Sequence, residues 1–339
     1  MKALQVVKPY ELKMVEVVKP QLQSDNEVLV KIKAAGICGS DVHIYHGTSP
    51  VATYPRVMGH EIVGIVEKIG AAVTKVQVGE HVIIDQVVSC GTCYPCRINR
   101  PNVCCNLKVR GVHLDGGYRE YVVANEKAMH ILPKDMPFTE AVMIEPMSIS
   151  LQAKSRAEVV DDDVVFILGA GALGKSLIKA IVTTQATIIV ADVTSERLEE
   201  AREAGAHYVV NAKEVDLIKE VRRLSGGQGP TVSFDAAGIL DSLELLAEVT
   251  SNAGRVITMA FLEEPSKIPQ LKITAKELDI RGSRLQNNKF EEVIMAYKGH
   301  KIDFKGLVSH VIPFEQAIQA FEMIDSRDTS IKKIVLTFE

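Results

Sequence analysis

"DDDVVFILGAGALGKSLIKAIVTT", residues 161–184, decides how the middle of the chain folds. Val164 to Leu168 is an apolar run of the length of a buried parallel strand. Gly169, Gly171 and Gly174 then set out G-x-G-x-x-G at the entry to a helical segment. The first glycine permits a tight turn, the second lets backbone approach a pyrophosphate, and the third lets the helix pack against the strand. The amides of Ala172, Leu173 and Gly174 at the helix start supply an anion site. A bare glycine pattern is weak evidence. This one follows a strand, opens a helix and precedes a second strand, "TIIVAD", whose Asp192 stands 18 residues past the last glycine, where a ribose-binding carboxylate belongs. A carboxylate there accepts hydrogen bonds from a 2'-hydroxyl and repels a 2'-phosphate, so NAD is expected in preference to NADP. Arg197 is a candidate to stack on adenine or meet a phosphate; its plain alternative is a solvated helix charge.

Outward from this unit the strand-like stretches "AHYVV", "TVSFDAAG", "GRVITMAF" and "LDIRGS" alternate with helical ones such as "SERLEEAREAG" and "ILDSLELLAEVT". That alternation predicts an α/β fold with a doubly wound parallel sheet, and six strand candidates fit the complete two-half arrangement. A chain of 339 residues exceeds the size at which a single core keeps growing, so a second domain is expected. Lys plus Arg total 39 against 43 for Asp plus Glu, a formal charge of -4, and no basic stripe carries interleaved aromatics. Nucleic acid is therefore not an expected partner. The amino-terminal "MKALQVVKPYELKMVEV" alternates like a strand and lacks the apolar stretch of a secretory signal, and no apolar run is long enough to span a bilayer. A cytoplasmic protein without membrane contact is expected.

"SCGTCYPCRINRPNVCC", residues 89–105, holds five of the six cysteines. In a reducing compartment such a cluster reads as metal ligands or catalytic groups before disulfides. Cys90, Cys93 and Cys96 are separated by two residues each, and Cys104 follows after seven more residues, a pattern whose thiolates can converge on one tetrahedral zinc. An iron–sulfur cluster also takes four thiolates, and a set of unligated surface thiols is the bland alternative. A closed four-cysteine site offers a substrate no open position, so it accounts for stability and leaves activity to be found elsewhere.

The sixth cysteine lies in "AAGICGSDVH", where Cys38 is followed by Ser40, Asp41 and His43. Downstream, "YPRVMGHEIVGIVEKIG" carries His60 and Glu61, and "AVMIEPMSIS" places Glu145 before Pro146, read as a strand-to-helix junction. One thiolate, one imidazole and one carboxylate from three segments would leave zinc a fourth position, the layout of a catalytic site. Taken singly, a His beside a Glu is more often structural, and a lone Cys more often a small buried apolar residue.

Cys38, the "GHE" at 59–61, the Cys90–Cys104 lobe and the glycine pattern at 169–174 occur in the order of the zinc-dependent medium-chain dehydrogenases, which the chain resembles over essentially its whole length. The resemblance implies a GroES-like β-rich catalytic domain over 1–147, completed by 285–339, with an NAD-binding Rossmann domain over 148–284. In the sorbitol and threonine dehydrogenase branch the third zinc ligand is the Glu of an "EP" pair, matched by Glu145, and "GSRLQNNKF", "YPRVMGHE" and "GVHLDGGYREY" resemble bacterial enzymes acting on sugar acids such as L-galactonate or L-gulonate. The Cys used by ethanol-type enzymes is missing. Glu61 matches the family's neighbouring carboxylate, a group that exchanges onto the metal or acts beside it. Ser40 matches the hydroxyl that receives the substrate proton and His43 the histidine that passes it on. The family spacing favours Cys104 over Cys105 as the fourth lobe ligand. Where most members read "GAGPIGL" this chain reads "GAGALGK", and Lys175 reads either as an aid to anion binding or as a solvent-exposed residue.

The implied reaction moves hydride between a secondary alcohol of a polyol or hexonate and NAD. Arg284 and Asn287, in "GSRLQNNKF", are candidate substrate contacts, since a guanidinium fork suits a carboxylate. The rival readings are threonine or a simple secondary alcohol as substrate, and a non-catalytic NADH-binding regulatory or structural protein. The resemblance also implies a homo-oligomer, and the apolar "GRVITMAFL" reads either as an interface strand or as core.

Overall fold

The computed structural model describes the whole chain except residues 327, 329 and 330. It divides into two compact units: Met1–Glu145 with Phe290–Lys298 and Phe304–Glu339, and Pro146–Lys289 with Gly299–Asp303. Residues 285–289 and 299–303 therefore group with the parallel sheet and not with the carboxy-terminal segment.

The second unit is built on the quoted stretch. Val164–Leu168 is the central strand of a six-stranded parallel sheet whose spatial order is Tyr208–Asn211, Thr187–Asp192, Val164–Leu168, Val232–Asp235, Arg255–Thr258, Asp279–Gly282. In order along the chain this is 3-2-1-4-5-6, with the switch point beside the first strand. Both faces of that strand are covered. Val165 and Ile167 join Ile188, Val190, Val232 and Phe234 in one core, while Phe166 and Leu168 join Ile189, Ala191, Leu246 and Val256 in another. An unbroken apolar run is what a strand buried on both faces requires. Arg255–Thr258 is paired on both sides within the sheet, so the candidate interface run "GRVITMAFL" is an interior strand at its start.

The first unit is β-rich. One sheet runs in the order Met129–Ile131, His81–Ile84, Glu61–Ile69, Glu27–Gly36, Ile334–Thr337, His310–Pro313, with Tyr121–Asn125 also paired to Glu27–Gly36. A smaller sheet joins the amino-terminal hairpin, Lys2–Lys8 and Glu11–Glu16, to Arg56–Val57. Strand Glu27–Gly36 alternates Val28, Val30 and Ile32 into a core with Ile62, Val66, Val82, Ile84, Val122 and Leu336. This strand has Glu61–Ile69 on one side and Ile334–Thr337 on the other at its carboxyl end, which brings three distant segments together.

Candidate active site

Strand Glu27–Gly36 runs on through Ile37 to Cys38, the N-cap of helix Gly39–Tyr45. Its register pairs Gly36 with Glu61, so Cys38 and His60 emerge side by side from adjacent strands. Ligand atoms of Cys38, His60 and Glu61 all lie within 4.8 Å of one another. Gly36 is required for this approach, because a Cβ there would fall 1.9 Å from Glu61 Oε2. On the other flank Ile37 N–H donates to the Ile334 carbonyl at 2.9 Å, which delivers Lys333 to the cluster. The Lys333 ammonium donates to both oxygens of Glu61, at 2.6 and 2.9 Å, and to the Ile37 carbonyl at 3.1 Å. Burial opposes the charge on Lys333, yet Glu61 and Cys38 outweigh it and raise its pKa.

Asp41, fully buried, ties the cluster to its surroundings. Its carboxylate accepts the Cys38 amide at 3.0 Å, the Gly59 amide at 3.3 Å and the Tyr118 hydroxyl at 2.8 Å. It stands 3.6 Å from His60 Nδ1, a buried ring nitrogen with no hydrogen-bond partner. Burial works against ionisation of Asp41, but His60 and these donors hold its pKa below the ordinary value.

Glu145 lies outside the three-residue cluster. It sits in the first turn of helix Ile144–Ala157, preceded by the short helix Phe138–Ala141, so the expected strand-to-helix junction is a helix-to-helix one. The residue is buried, and Gln86 Nε2 donates to its Oε1 at 2.6 Å. Burial pushes the Glu145 carboxyl up to about 7, with Glu61 adding to the shift and His60 and Lys333 opposing it.

The donor set fits a divalent cation. A thiol, an imidazole with an orphaned nitrogen and the carboxylate of Glu61 bring their ligand atoms within 4.8 Å of one another, and Glu145 is buried near enough for Glu61 and His60 to act on it. Sulfur, imidazole nitrogen and carboxylate oxygen are together the donor types that zinc takes.

In the lobe, Cys90, Cys93, Cys96 and Cys104 bring their sulfurs within 4.8 Å of one another, with Cys93 3.4 Å from Cys96 and Cys104 3.5 Å from Cys90. Backbone amides point at these sulfurs: Cys93 N–H at Cys90, and Cys90 and Asn106 N–H at Cys104. Donors of this kind stabilise thiolates. Amides of Thr92 and Cys93 draw Cys90 down to about 5, whereas burial and the neighbouring sulfurs push Cys96 up to about 11. Four sulfurs with the spacing of a tetrahedron fit zinc. Cys105 is exposed and stands outside the four.

In the other unit the glycine pattern has the predicted form. Gly169 adopts φ +103°, a Cβ on Gly174 would lie 2.0 Å from the Gly169 carbonyl oxygen, and a Cβ on Gly171 would meet nothing within 4 Å. Gly171 is the N-cap of helix Ala172–Ile181 and leaves its first amides without a side-chain cap. Asp192 ends the second strand, its carboxylate accepting the Ala170 amide at 2.8 Å and those of Val193 and Thr194 at 2.7 and 3.0 Å. Arg197 is exposed. Lys175 is neither exposed nor turned to an anion site, because it is buried and paired with Glu200 at 2.5 Å.

Ser40 and His43 are exposed one turn apart on helix Gly39–Tyr45, and His43 Nδ1 bonds Thr48 Oγ1 at 2.9 Å. Arg284 and Asn287, both half-buried, belong to the second unit, where the Arg284 guanidinium lies 5.5 Å from the centre of the Phe261 ring. The sequence reading assigned nothing to Asp41, Gln86, Tyr118 or Lys333. Asp41, in the same short stretch as Cys38 and Ser40, was open to assignment; Lys333, in "IKKIVLTFE", carries no motif.

Residues 24–134 match the model of the alcohol dehydrogenase GroES-like domain and residues 172–298 that of the zinc-binding dehydrogenases. The chain belongs to the zinc-binding alcohol dehydrogenase family. It is 40% identical to the starvation-sensing protein RspB of Escherichia coli K12, over 100% of this chain and 99% of that protein. It is 30% identical to L-galactonate-5-dehydrogenase of Escherichia coli K12, over 94% and 93%. Among solved structures, the short chain alcohol dehydrogenase RspB of Escherichia coli CFT073, complexed with NADH, superposes with a TM-score of 0.95 at 39% identity, over 100% of this chain and 99% of that one. No helix among the described residues is long and apolar enough to cross a membrane.

Proposed function

We propose that the chain oxidises a secondary alcohol of a hexonate or polyol, using NAD bound at the Gly169–Gly174 loop and zinc held by Cys38, His60 and Glu145. The observation that carries this reading is that Cys38, His60 and Glu61 bring their ligand atoms within 4.8 Å of one another, with Glu145 buried near enough for His60 and Glu61 to act on it. Zinc in such a site supplies a Lewis acid that makes an alcohol proton acidic, and NAD supplies the hydride acceptor.

The chain's own groups do the rest. Ser40 receives the alcohol proton and His43, on the same exposed helical face, passes it to solvent. Asp41 orients His60, and its three donors keep it from turning away. Lys333 holds Glu61 through both carboxylate oxygens, so Glu61 takes a place beside the metal or on it only by exchanging one of those bonds. The amides of Ala172, Leu173 and Gly174 receive the pyrophosphate, Asp192 the ribose, and Arg197 the adenine edge. Arg284 and Asn287 contact substrate. Cys90, Cys93, Cys96 and Cys104 hold a second, structural zinc. Support for the substrate class comes from the relatives that act on L-galactonate and on 2-dehydro-3-deoxy-L-galactonate.

The test is a panel: zinc-loaded protein with NAD and hexonates, sugar alcohols or threonine, with NADH formation followed by absorbance. Turnover of a hexonate or polyol is expected, and turnover of threonine alone would overturn the substrate class. The likeness to a starvation-sensing protein favours a second reading, an NADH-binding regulator without turnover. Binding of NADH with no oxidation of any substrate class would establish it.

A further inference from the structure

Arg110 and Arg119 bracket a loop clamped to the segment that carries His60. Within that loop Gly116 N–H donates to the Val57 carbonyl at 2.7 Å, Gly117 N–H to Gly59 at 2.8 Å and Tyr118 N–H to Met58 at 3.0 Å. The fit leaves no slack, because a Cβ on Gly116 would fall 2.2 Å from the Gly59 oxygen and one on Gly111 2.8 Å from the same residue. Arg110 N–H donates to the carbonyl of Gln86, whose amide holds Glu145, and Tyr118, next to Arg119, donates to Asp41. The two arginines thus stand on the framework that assembles the metal cluster.

Both guanidiniums are poorly served there. Arg110 is only 9% exposed, Arg119 is half-buried, and Nε of each is buried without a hydrogen-bond partner. The carboxylates that act on them, Asp85 for Arg110 and Asp115 for Arg119, are also engaged by other groups. Asp115 binds Arg56 at 3.0 Å and the Val57 amide, and Asp85 accepts the Val87 amide at 2.8 Å. Burial and the charge of Arg119 draw Arg110 down to about 10 against the opposing pull of Asp85, and burial lowers Arg119 against that of Asp115. Two like charges buried with only indirect support from Asp85 and Asp115 are costly, and an anion bridging them lowers the cost. A carboxylate matches the planar donor fork, and two forks facing one carboxylate use both its oxygens.

We propose that Arg110 and Arg119 together receive the carboxylate of a hexonate substrate and so select sugar acids over polyols. This rests on the hexonate reading above and adds to it the residues that make the choice. It places the carboxylate receptor in the unit that holds the metal ligands, whereas Arg284 belongs to the other unit, beside Phe261.

The experiment uses the zinc-loaded full chain with NADH or NAD, as wild type, Arg110→Met, Arg119→Met, Arg110→Lys and Arg284→Ala, with L-galactonate, galactitol and inorganic phosphate as probes. L-galactonate is expected to raise the thermal midpoint of the wild type, and both Met variants to abolish that rise. The same variants raise KM for L-galactonate about a hundredfold and leave KM for galactitol within about twofold, and Arg110→Lys recovers part of the loss. Zinc content, NADH affinity and the ligand-free midpoint are not lowered, since each Met removes one of two repelling charges. An equal L-galactonate response in wild type and Met variants, a loss carried by Arg284→Ala alone, or a midpoint rise with phosphate and none with L-galactonate each overturns the assignment. If no hexonate is oxidised yet the pair-dependent midpoint rise with L-galactonate is present, the reaction assigned above fails while carboxylate recognition by the pair stands.

Discussion

The lobe of Cys90, Cys93, Cys96 and Cys104 and the cluster of Cys38, His60 and Glu61 both gather metal-binding atoms within 4.8 Å, but by opposite routes. The lobe closes on itself within fifteen residues, through turns and amides aimed at its own sulfurs. The cluster is assembled by the register of three strands and stabilised by groups that are not themselves candidate ligands, Asp41 and Lys333 above all. A local site makes a domain firm and offers no vacancy. A site built from tertiary register is available for chemistry, and its properties depend on side chains far away in sequence.

Replacement of one cysteine in each place separates the two most sharply. Cys38→Ser is expected to lower turnover by about a thousandfold or more, since it removes metal-assisted ionisation of the alcohol, while NADH binding at the glycine loop and the lobe's zinc are retained. Zinc analysis, fluorescence titration with NADH and initial rates check the three parts. Undiminished turnover would break the comparison outright. Cys96→Ser should act the other way round: one zinc is lost, stability falls by roughly 4 kcal/mol in chemical denaturation, and NADH affinity is unchanged.

Lys333→Met probes the distant support. It leaves Glu61, fully buried, with its bidentate partner gone, at an expected cost of about 3–5 kcal/mol for the metal-free protein. Addition of Glu61→Gln should recover most of that cost, because the uncompensated charge then disappears with its partner. If the two losses simply add, the lysine is holding something other than Glu61.

The same contrast explains how much could be read in advance. The parallel sheet was legible because its strands are short apolar runs and its glycines each answer a steric need, from the tight turn at Gly169 to the contact of Gly174 with the Gly169 oxygen. The lobe was legible because its ligands are neighbours in sequence. The mixed cluster was legible only as three weak signals in the right order, and Glu145 was placed at the wrong kind of junction, since a short helix and not a strand precedes it. Lys333 and the Arg110–Arg119 pair were not legible at all. A lysine or arginine in a sequence carries the same letter whether it lies in solvent or against a buried carboxylate, and only the pairing of Ile334–Thr337 with Gly36 turns Lys333 inward.

The smallest expected effect is also the most diagnostic of register. Gly36 faces Glu61 across an antiparallel pair, and a methyl group there would sit 1.9 Å from Oε2 and 3.1 Å from Cδ of Glu61. Gly36→Ala cannot be relieved by the backbone, which is hydrogen-bonded on both sides, so the carboxylate must move while Lys333 holds it by two bonds. An overpacking cost of about 1–3 kcal/mol is expected, read by denaturant titration. In the Lys333→Met background the carboxylate is released and can turn away, so the same alanine should cost less than half as much. That shortfall measures how far the ammonium, and not the strand alone, fixes where Glu61 stands relative to Cys38 and His60. Equal costs in the two backgrounds would mean that backbone register alone positions the carboxylate, and the distinction drawn between a self-contained lobe and an externally supported cluster would lose its main support.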